Sequence, residues 1–306
     1  MHADTVVATT QQDGGTVRGL RERAVAVRRR VIQMVQALGH GYLDQGLGAA
    51  DIFTTLYFHE LAREPGQPVD AWLADPDRDR FVLSVGHYAI GLFAVLAELG
   101  VYTDGELATY GFDGSDVEQN ATEFARGFEV TGGSLGQGLS QAIGMALGGR
   151  LAEAEGRRPF CVYTLVSDGE LQEGQVWEAI MSAAHYRLDT LIALFDLNKL
   201  QADGPPATVM GIEPVHEKLR AFGWNVSRID GNDLEALLAA FADARRVKGQ
   251  PSAIVCDTVP GKGVPSVELR TQVHYVRPRD PRELDGLVEE LETEAARLEA
   301  EAARWR

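Results

Sequence analysis

Apolar, β-branched runs alternate with helix-patterned segments through the second half of the chain, and this alternation limits the fold more than any other feature. "FCVYTLV" predicts a strand over 160–166, and "TLIALFD" predicts one over 190–196. Further strands are expected at 224–229 and 252–258, with helices at 175–186, 214–222 and 233–247. A Gly-Pro loop is expected at 203–206. Strands that alternate with helices build a parallel sheet with helices on both faces, so the fold class is α/β.

The first half fits the same plan. Thr16–Leu38 has a helical pattern, with Val25, Ile32, Val35 and Leu38 near one face. "GHGYLDQGLGAADIFTTLYF" reads as a Gly-rich loop followed by a helix begun near Ala49. "DPDRDRFVLSVGHYAIGLFAVLAELG" reads as a polar turn, a strand over Phe81–Ser84 and a helix closed by Gly100. Residues 103–128 are polar and mixed, a loop region with a short helix. "EVTGGSLGQGLSQAIGMALGGR" is a Gly-rich loop feeding a helix. The expected organisation is a loose tail over 1–15, one domain over 16–280 and a charged helix over 281–306. In that last helix Leu284, Val288, Leu291, Ala295, Leu298, Ala302 and Trp305 form a heptad-like stripe. The stripe suits packing on its own domain or docking on another chain.

With 306 residues the chain can bury a substantial core. Its formal net charge of −16 repels a phosphate backbone, so nucleic acid is not an expected partner. No apolar run is long enough to span a bilayer. The amino-terminal stretch lacks a basic start followed by an apolar segment, so a cytoplasmic location is expected. Cys161 and Cys256 lie in apolar strand-like runs and are expected to be buried free thiols.

In open parallel sheets, ligands bind beyond the carboxyl ends of the strands. Two such ends carry hard oxygen ligands here, Asp168 and Asn198. A carboxylate, an amide oxygen and a backbone carbonyl make a Mg²⁺ site when diphosphate oxygens complete it. Gly169 allows close backbone approach to a phosphate, and the following helix supplies N–H donors. Taken alone, Ser167-Asp168-Gly169 is an ordinary turn tripeptide.

Asp168-Gly169, then thirty residues to Asn198, then Leu200, resembles the thiamine diphosphate signature. The segment "SDGELQEGQVWEAIMSAAHYRLDTLIALFDLNKLQADG" is similar to the diphosphate half of transketolase. "FVLSVGHYAIGLFAVL", "EVTGGSLGQGLSQAIGMALGGR" and "TVPGKGVPSVELRTQVHYVRP" follow the transketolase order, so the resemblance runs over roughly residues 20–278.

The resemblance implies a role for each matching position. Asp168, Asn198 and the Leu200 carbonyl would hold Mg²⁺ on the diphosphate; Ca²⁺ or Mn²⁺ would also suit them. Gly169 and Glu170 would lie at the cofactor, and Gly133 and Leu135 would meet its aminopyrimidine through backbone groups. His87 and His274 would stand by the diphosphate, thiazolium and substrate entrance as catalytic candidates. Glu173 and Glu178 match carboxylates at the family's subunit contact. The family's pyrimidine-binding domain, which carries the glutamate that activates the cofactor, has no counterpart in this sequence. The chain therefore resembles the N-terminal subunit of a split transketolase, paired with a separate C-terminal subunit in a heterotetramer and inactive alone.

Two family histidines are replaced. Ungapped alignment on "GAADIFTTLYF" puts Tyr42 at the first, and His40 reaches it only with two inserted residues. The second falls at Gln119 or Asn120. Both histidines contact the ketol end of the donor sugar, so the donor stays open between a two-carbon ketol unit and a 2-oxo acid such as pyruvate. A non-catalytic regulatory subunit is a further alternative. The α subunit of a 2-oxo acid dehydrogenase shares a similar motif, but "TGGSLGQG" and "PGKG" favour transketolase.

Overall fold

The computed structural model describes residues 16–268 and 273–304. The expected tail over 1–15 and Trp305 lie outside the described residues. Five strands form one sheet: β1 (Arg80–Leu83), β2 (Val162–Ser167), β3 (Leu191–Leu197), β4 (Asn225–Asp230) and β5 (Ser252–Asp257). Their order is β1-β2-β3-β5-β4, and every neighbouring pair is parallel. Each strand lies within about two residues of its expected place.

The continuous apolar runs follow from burial on both faces. Tyr163, Leu165, Ile192, Leu194 and Ile254 point into one core, with helices Val17–Leu38, Ala89–Glu98 and Leu234–Arg246. The intervening Val162, Val166, Ala193, Phe195 and Val255 point into a second core, with helices Gly138–Ala154, Gly174–His185 and Val215–Ala221. Side chains alternate across a strand, so every position has a helix to meet.

Local signals set the helix ends. The Thr16 side chain accepts from the Gly19 amide at 3.1 Å, and Gly39 closes the first helix at φ 84°. The Asp233 side chain caps Leu234–Arg246. Both cysteines are free; Cys256 is buried and Cys161 partly so, and burial pushes the Cys161 thiol up to about 12.

Two expectations need correction. The segment expected to be a Gly-rich loop before Ala49 forms a buried helical turn, Leu43–Gly48, which runs into helix Ala50–Thr55. Its Gly46 provides close packing: a Cβ there would lie under 3.0 Å from side-chain methyls of Val31 and Ile90. The last helix spans Leu287–Arg304, after a 3₁₀ turn at Pro281–Leu284. Leu284 and Leu291 of its stripe are buried in the first core, Val288 packs against it partly buried, and Leu298 is exposed; Leu287, outside the stripe, is also buried there. Arg29 pairs with Glu292 across to the first helix.

Candidate functional site

Register places the site. Asp196 of β3 lies opposite Ser167 of β2 and Cys256 of β5, so the carboxyl ends of three neighbouring strands open at one level. Asp168 follows β2 directly, and Asn198 follows β3. Lys199 adopts φ 63°, a left-handed conformation that is uncommon for a residue with a side chain. This turn aims successive amides at both groups. The Lys199 amide donates to Asp168 Oδ2 at 2.9 Å, and the Leu200 amide donates to Asn198 Oδ1 at 2.8 Å.

Asp168 and Asn198 are both buried. Burial, reinforced by the nearby Asp196 carboxylate, raises Asp168 to about 7. Among the described residues no basic side chain pairs with Asp168; the Lys199 ammonium turns to Asp257 instead. A buried carboxylate without a counter-charge suits a bound cation. Among the described residues no three His, Cys, Asp or Glu side chains gather as a metal cluster. A cation here would take one carboxylate, amide and carbonyl oxygens, and oxygens of its own ligand, a donor set that suits a hard cation such as Mg²⁺, Ca²⁺ or Mn²⁺.

Glu170 sits differently from its neighbours in the motif. It is fully buried, and its carboxylate points into the protein. Oε1 accepts from Ser84 Oγ at 2.5 Å and the Gly136 amide at 2.9 Å; Oε2 accepts from the Ser167 amide at 2.8 Å. This side chain ties the ends of β1 and β2 to the Gly-rich loop and leaves no oxygen directed at a ligand. Gly169, in contrast, has no atom closer than 3.8 Å to the position of an added Cβ, so its surroundings are open.

The loops after β1 and before helix Gly138–Ala154 meet backbone to backbone. Gly86 lies against Gly132 and Gly133, and the Ala121 amide donates to the Gly86 carbonyl at 2.9 Å. Gly133 has φ 122° and is exposed, and the Leu135 carbonyl accepts from Gln175 Nε2 at 2.9 Å. Glu173 and Glu178 are exposed.

The remaining sequence-derived residues gather in one aromatic cluster. His87 and His274, nearly two hundred residues apart, have ring centroids 4.8 Å apart. Tyr42 lies 4.9 Å from His87 and 5.7 Å from His274. Tyr275 packs edge-on to Tyr42 at 4.7 Å; its hydroxyl donates to Gln119 Oε1 at 2.7 Å and contacts His40 Nδ1 at 2.5 Å. Tyr42 thus packs beside the two touching histidines, the three rings forming a triangle, while His40 meets Tyr275 instead. Gln119 joins the cluster; Asn120 is exposed beside Gly133. Burial and the neighbouring His274 lower His87 to about 3, and burial lowers His274.

The depressed His87 value carries a stability consequence. Between pH 6.5 and about 3 the unfolded chain binds a proton at this position that the folded chain refuses, so stability falls with pH through that window. A His87→Asn variant lacks this term. Urea unfolding of wild type and variant from pH 7 to 4 should show the wild type losing about 3 kcal/mol more.

Sequence reasoning missed Tyr88, Asp196, Thr258 and Tyr275. The His-Tyr pairs at 87–88 and 274–275 do not mark them, since His185-Tyr186 repeats the pair at an exposed helix end.

The family model described as "Transketolase, thiamine diphosphate binding domain" matches residues 20–283. The chain belongs to the transketolase family. Among its transketolase relatives, the family protein y4mO of Sinorhizobium fredii is 47% identical over 260 residues, covering 84% of this chain and 90% of that protein. The 6-deoxy-6-sulfo-D-fructose transketolase subunit SqwG of a Clostridium species is 37% identical, covering 84% of this chain and 91% of that protein. Human transketolase is 36% identical over 262 residues, of which this chain spans only 40% of the length. The solved structure of transketolase from Leishmania mexicana superposes with a TM-score of 0.74 at 26% identity, covering 94% of this chain and 46% of that one. This transketolase-family chain thus spans most of two short relatives and less than half of the long ones. Its sheet with helices on both faces is the diphosphate-binding fold of transketolase. Among the described residues no helix is long and apolar enough to cross a membrane.

Proposed function

We propose that this chain is the diphosphate-binding subunit of a two-component, thiamine-diphosphate-dependent enzyme of transketolase type, which transfers a two-carbon ketol or acyl unit from a carbonyl donor to an aldehyde acceptor. The observation that carries the reading is the buried Asp168 carboxylate, without a basic partner among the described residues, joined through the Asn198–Leu200 turn to a second oxygen ligand. Asp168, Asn198 and the Leu200 carbonyl would hold Mg²⁺ on the diphosphate. Gly169 would offer its backbone to the phosphates, and Gly133 and Leu135 theirs to the pyrimidine. Bound there, thiamine diphosphate would supply the nucleophilic carbon that such a transfer needs.

His87 and His274 are the catalytic candidates. The low value at His87 keeps its ring neutral at ordinary pH, so it offers one N–H donor and one lone pair to a reacting oxygen. A separate C-terminal subunit would supply the pyrimidine side, meet Glu173 and Glu178, and complete a heterotetramer. The Clostridium relative of similar span supports this arrangement, because its own name calls it a transketolase subunit.

Tyr42 and Gln119 favour a second reading of the donor. Tyr42 packs against both histidines, and the Gln119 oxygen is occupied by Tyr275. A 2-oxo acid such as pyruvate needs no hydrogen bond to a C1 hydroxyl, which suits this pocket. The chain co-purified with a partner that provides the pyrimidine domain should be offered xylulose 5-phosphate or pyruvate with aldehydes. Turnover with either donor, absent from each subunit alone, is the expected result. Efficient ketol transfer would eliminate the 2-oxo acid donor, and cofactor binding without turnover would favour a regulatory subunit.

A further inference from the structure

Behind the proposed metal ligands runs a chain of side chains whose hydrogen-bond directions are determined. Thr258 Oγ1 donates to Asp196 Oδ1. The Tyr88 hydroxyl donates to Asp196 Oδ2 at 2.6 Å, and Asn198 Nδ2 donates to that same hydroxyl at 2.6 Å. All four residues are buried, Tyr88 and Asp196 each only 1% exposed. They come from the turn after β1, the end of β3 with the turn beyond it, and the segment after β5.

A carboxylate only accepts hydrogen bonds, and a phenol has a single proton. Tyr88 gives that proton to Asp196 and therefore presents lone pairs to Asn198. Asn198 can answer a lone pair only with its amide nitrogen; turned over, it would set oxygen against oxygen. Its Oδ1 is thereby held on the opposite side of the amide. There Oδ1 accepts from the Leu200 amide at 2.8 Å and keeps a second lone pair for another partner.

We infer that Tyr88 and Asp196 are positioning residues, which lock the Asn198 amide with its oxygen toward the metal and so favour Mg²⁺ over a more tolerant cation. The inference rests on the proposed reading of Asn198 as a metal ligand. Mg²⁺ demands near-ideal octahedral geometry, whereas Ca²⁺ accepts variable geometry and longer bonds. An amide free to turn harms Mg²⁺ binding more than Ca²⁺ binding. Groups that orient a metal ligand typically change metal affinity by about 10- to 100-fold.

The test is calorimetric titration of the chain, assembled with a partner that provides the pyrimidine domain, with thiamine diphosphate in Mg²⁺ or in Ca²⁺. Tyr88→Phe should weaken Mg²⁺-dependent binding about 10-fold or more, and Ca²⁺-dependent binding by clearly less. The nearly isosteric Asp196→Asn should shift the Mg²⁺ to Ca²⁺ ratio the same way. Tyr163→Phe serves as control, because it removes another fully buried hydroxyl, one bonded to Arg245 near the amino end of β2. It should leave both affinities unchanged, as a general packing loss would not distinguish the cations. Equal weakening in both cations overturns the inference. So does an unfolded Tyr88→Phe together with an unchanged cation ratio in Asp196→Asn. Binding by the wild type with unaltered variants removes this inference alone, while no binding by the wild type removes the reading beneath it as well.

Discussion

Replacing Asp168 with asparagine should abolish Mg²⁺-dependent binding of thiamine diphosphate while leaving the unliganded chain at least as stable as the wild type. The two halves of this result have one cause. Asp168 is a buried carboxylate that takes an amide donor from Lys199 but no basic partner among the described residues. In the unliganded chain such a charge costs folding free energy, and asparagine of the same shape removes it. A bound dication reverses the balance, because the charge then has its partner. The loss in affinity should exceed the roughly 100-fold that removing a merely supporting group costs. Thermal unfolding with and without Mg²⁺ and cofactor measures both effects. The wild type should gain several degrees on addition, from about 2.7 kcal/mol of linkage at a hundredfold excess over Kd, and Asp168→Asn should gain nothing. A preserved shift in the variant would remove Asp168 from the metal.

Gly86→Ala should produce the largest loss of stability. A Cβ at residue 86 would lie under 3.0 Å from the Gly133 nitrogen and the Gly132 carbonyl carbon, and all three nearest atoms belong to backbone. No side-chain rotation relieves that overlap, so one of two loops must move. Both loops belong to the site: Gly86 opens the turn that carries His87 and Tyr88, and Gly133 faces the proposed pyrimidine position. Overpacking in a core costs about 1–3 kcal/mol even where side chains can adjust. Here the loss should reach roughly 3 kcal/mol or more in urea unfolding, with weakened cofactor binding. Gly144→Ala is the natural contrast. Nothing lies within 4 Å of its added Cβ, and it sits inside helix Gly138–Ala154. The isolated chain should gain up to about 1 kcal/mol there.

The sheet was legible because its strands are buried on both faces. Runs such as "CVYTLV" need no alternation to be recognised, and their ends located Asp168 and Asn198. What escaped depends on distance along the chain. Tyr88 meets Asp196 across 108 residues, and Tyr275 meets Gln119 across 156, so neither pair leaves a local pattern. Glu170 shows the opposite limit. Its place in the motif is adjacent to the metal candidates, yet a 3₁₀ turn over Glu170–Gln172 goes with a side chain aimed inward, to four donors around the strand ends. Gly46 reads in sequence as part of a loop, since a glycine that permits helix packing and one that permits a turn look alike there.

The decisive measurement is titration of thiamine diphosphate into the chain assembled with a partner that provides the pyrimidine domain, with Mg²⁺ present and again after chelation with EDTA. One cofactor bound per chain, only while the metal is available, is the expected result. Binding indifferent to EDTA, or no binding at all, would contradict a magnesium-bridged diphosphate site at Asp168 and Asn198.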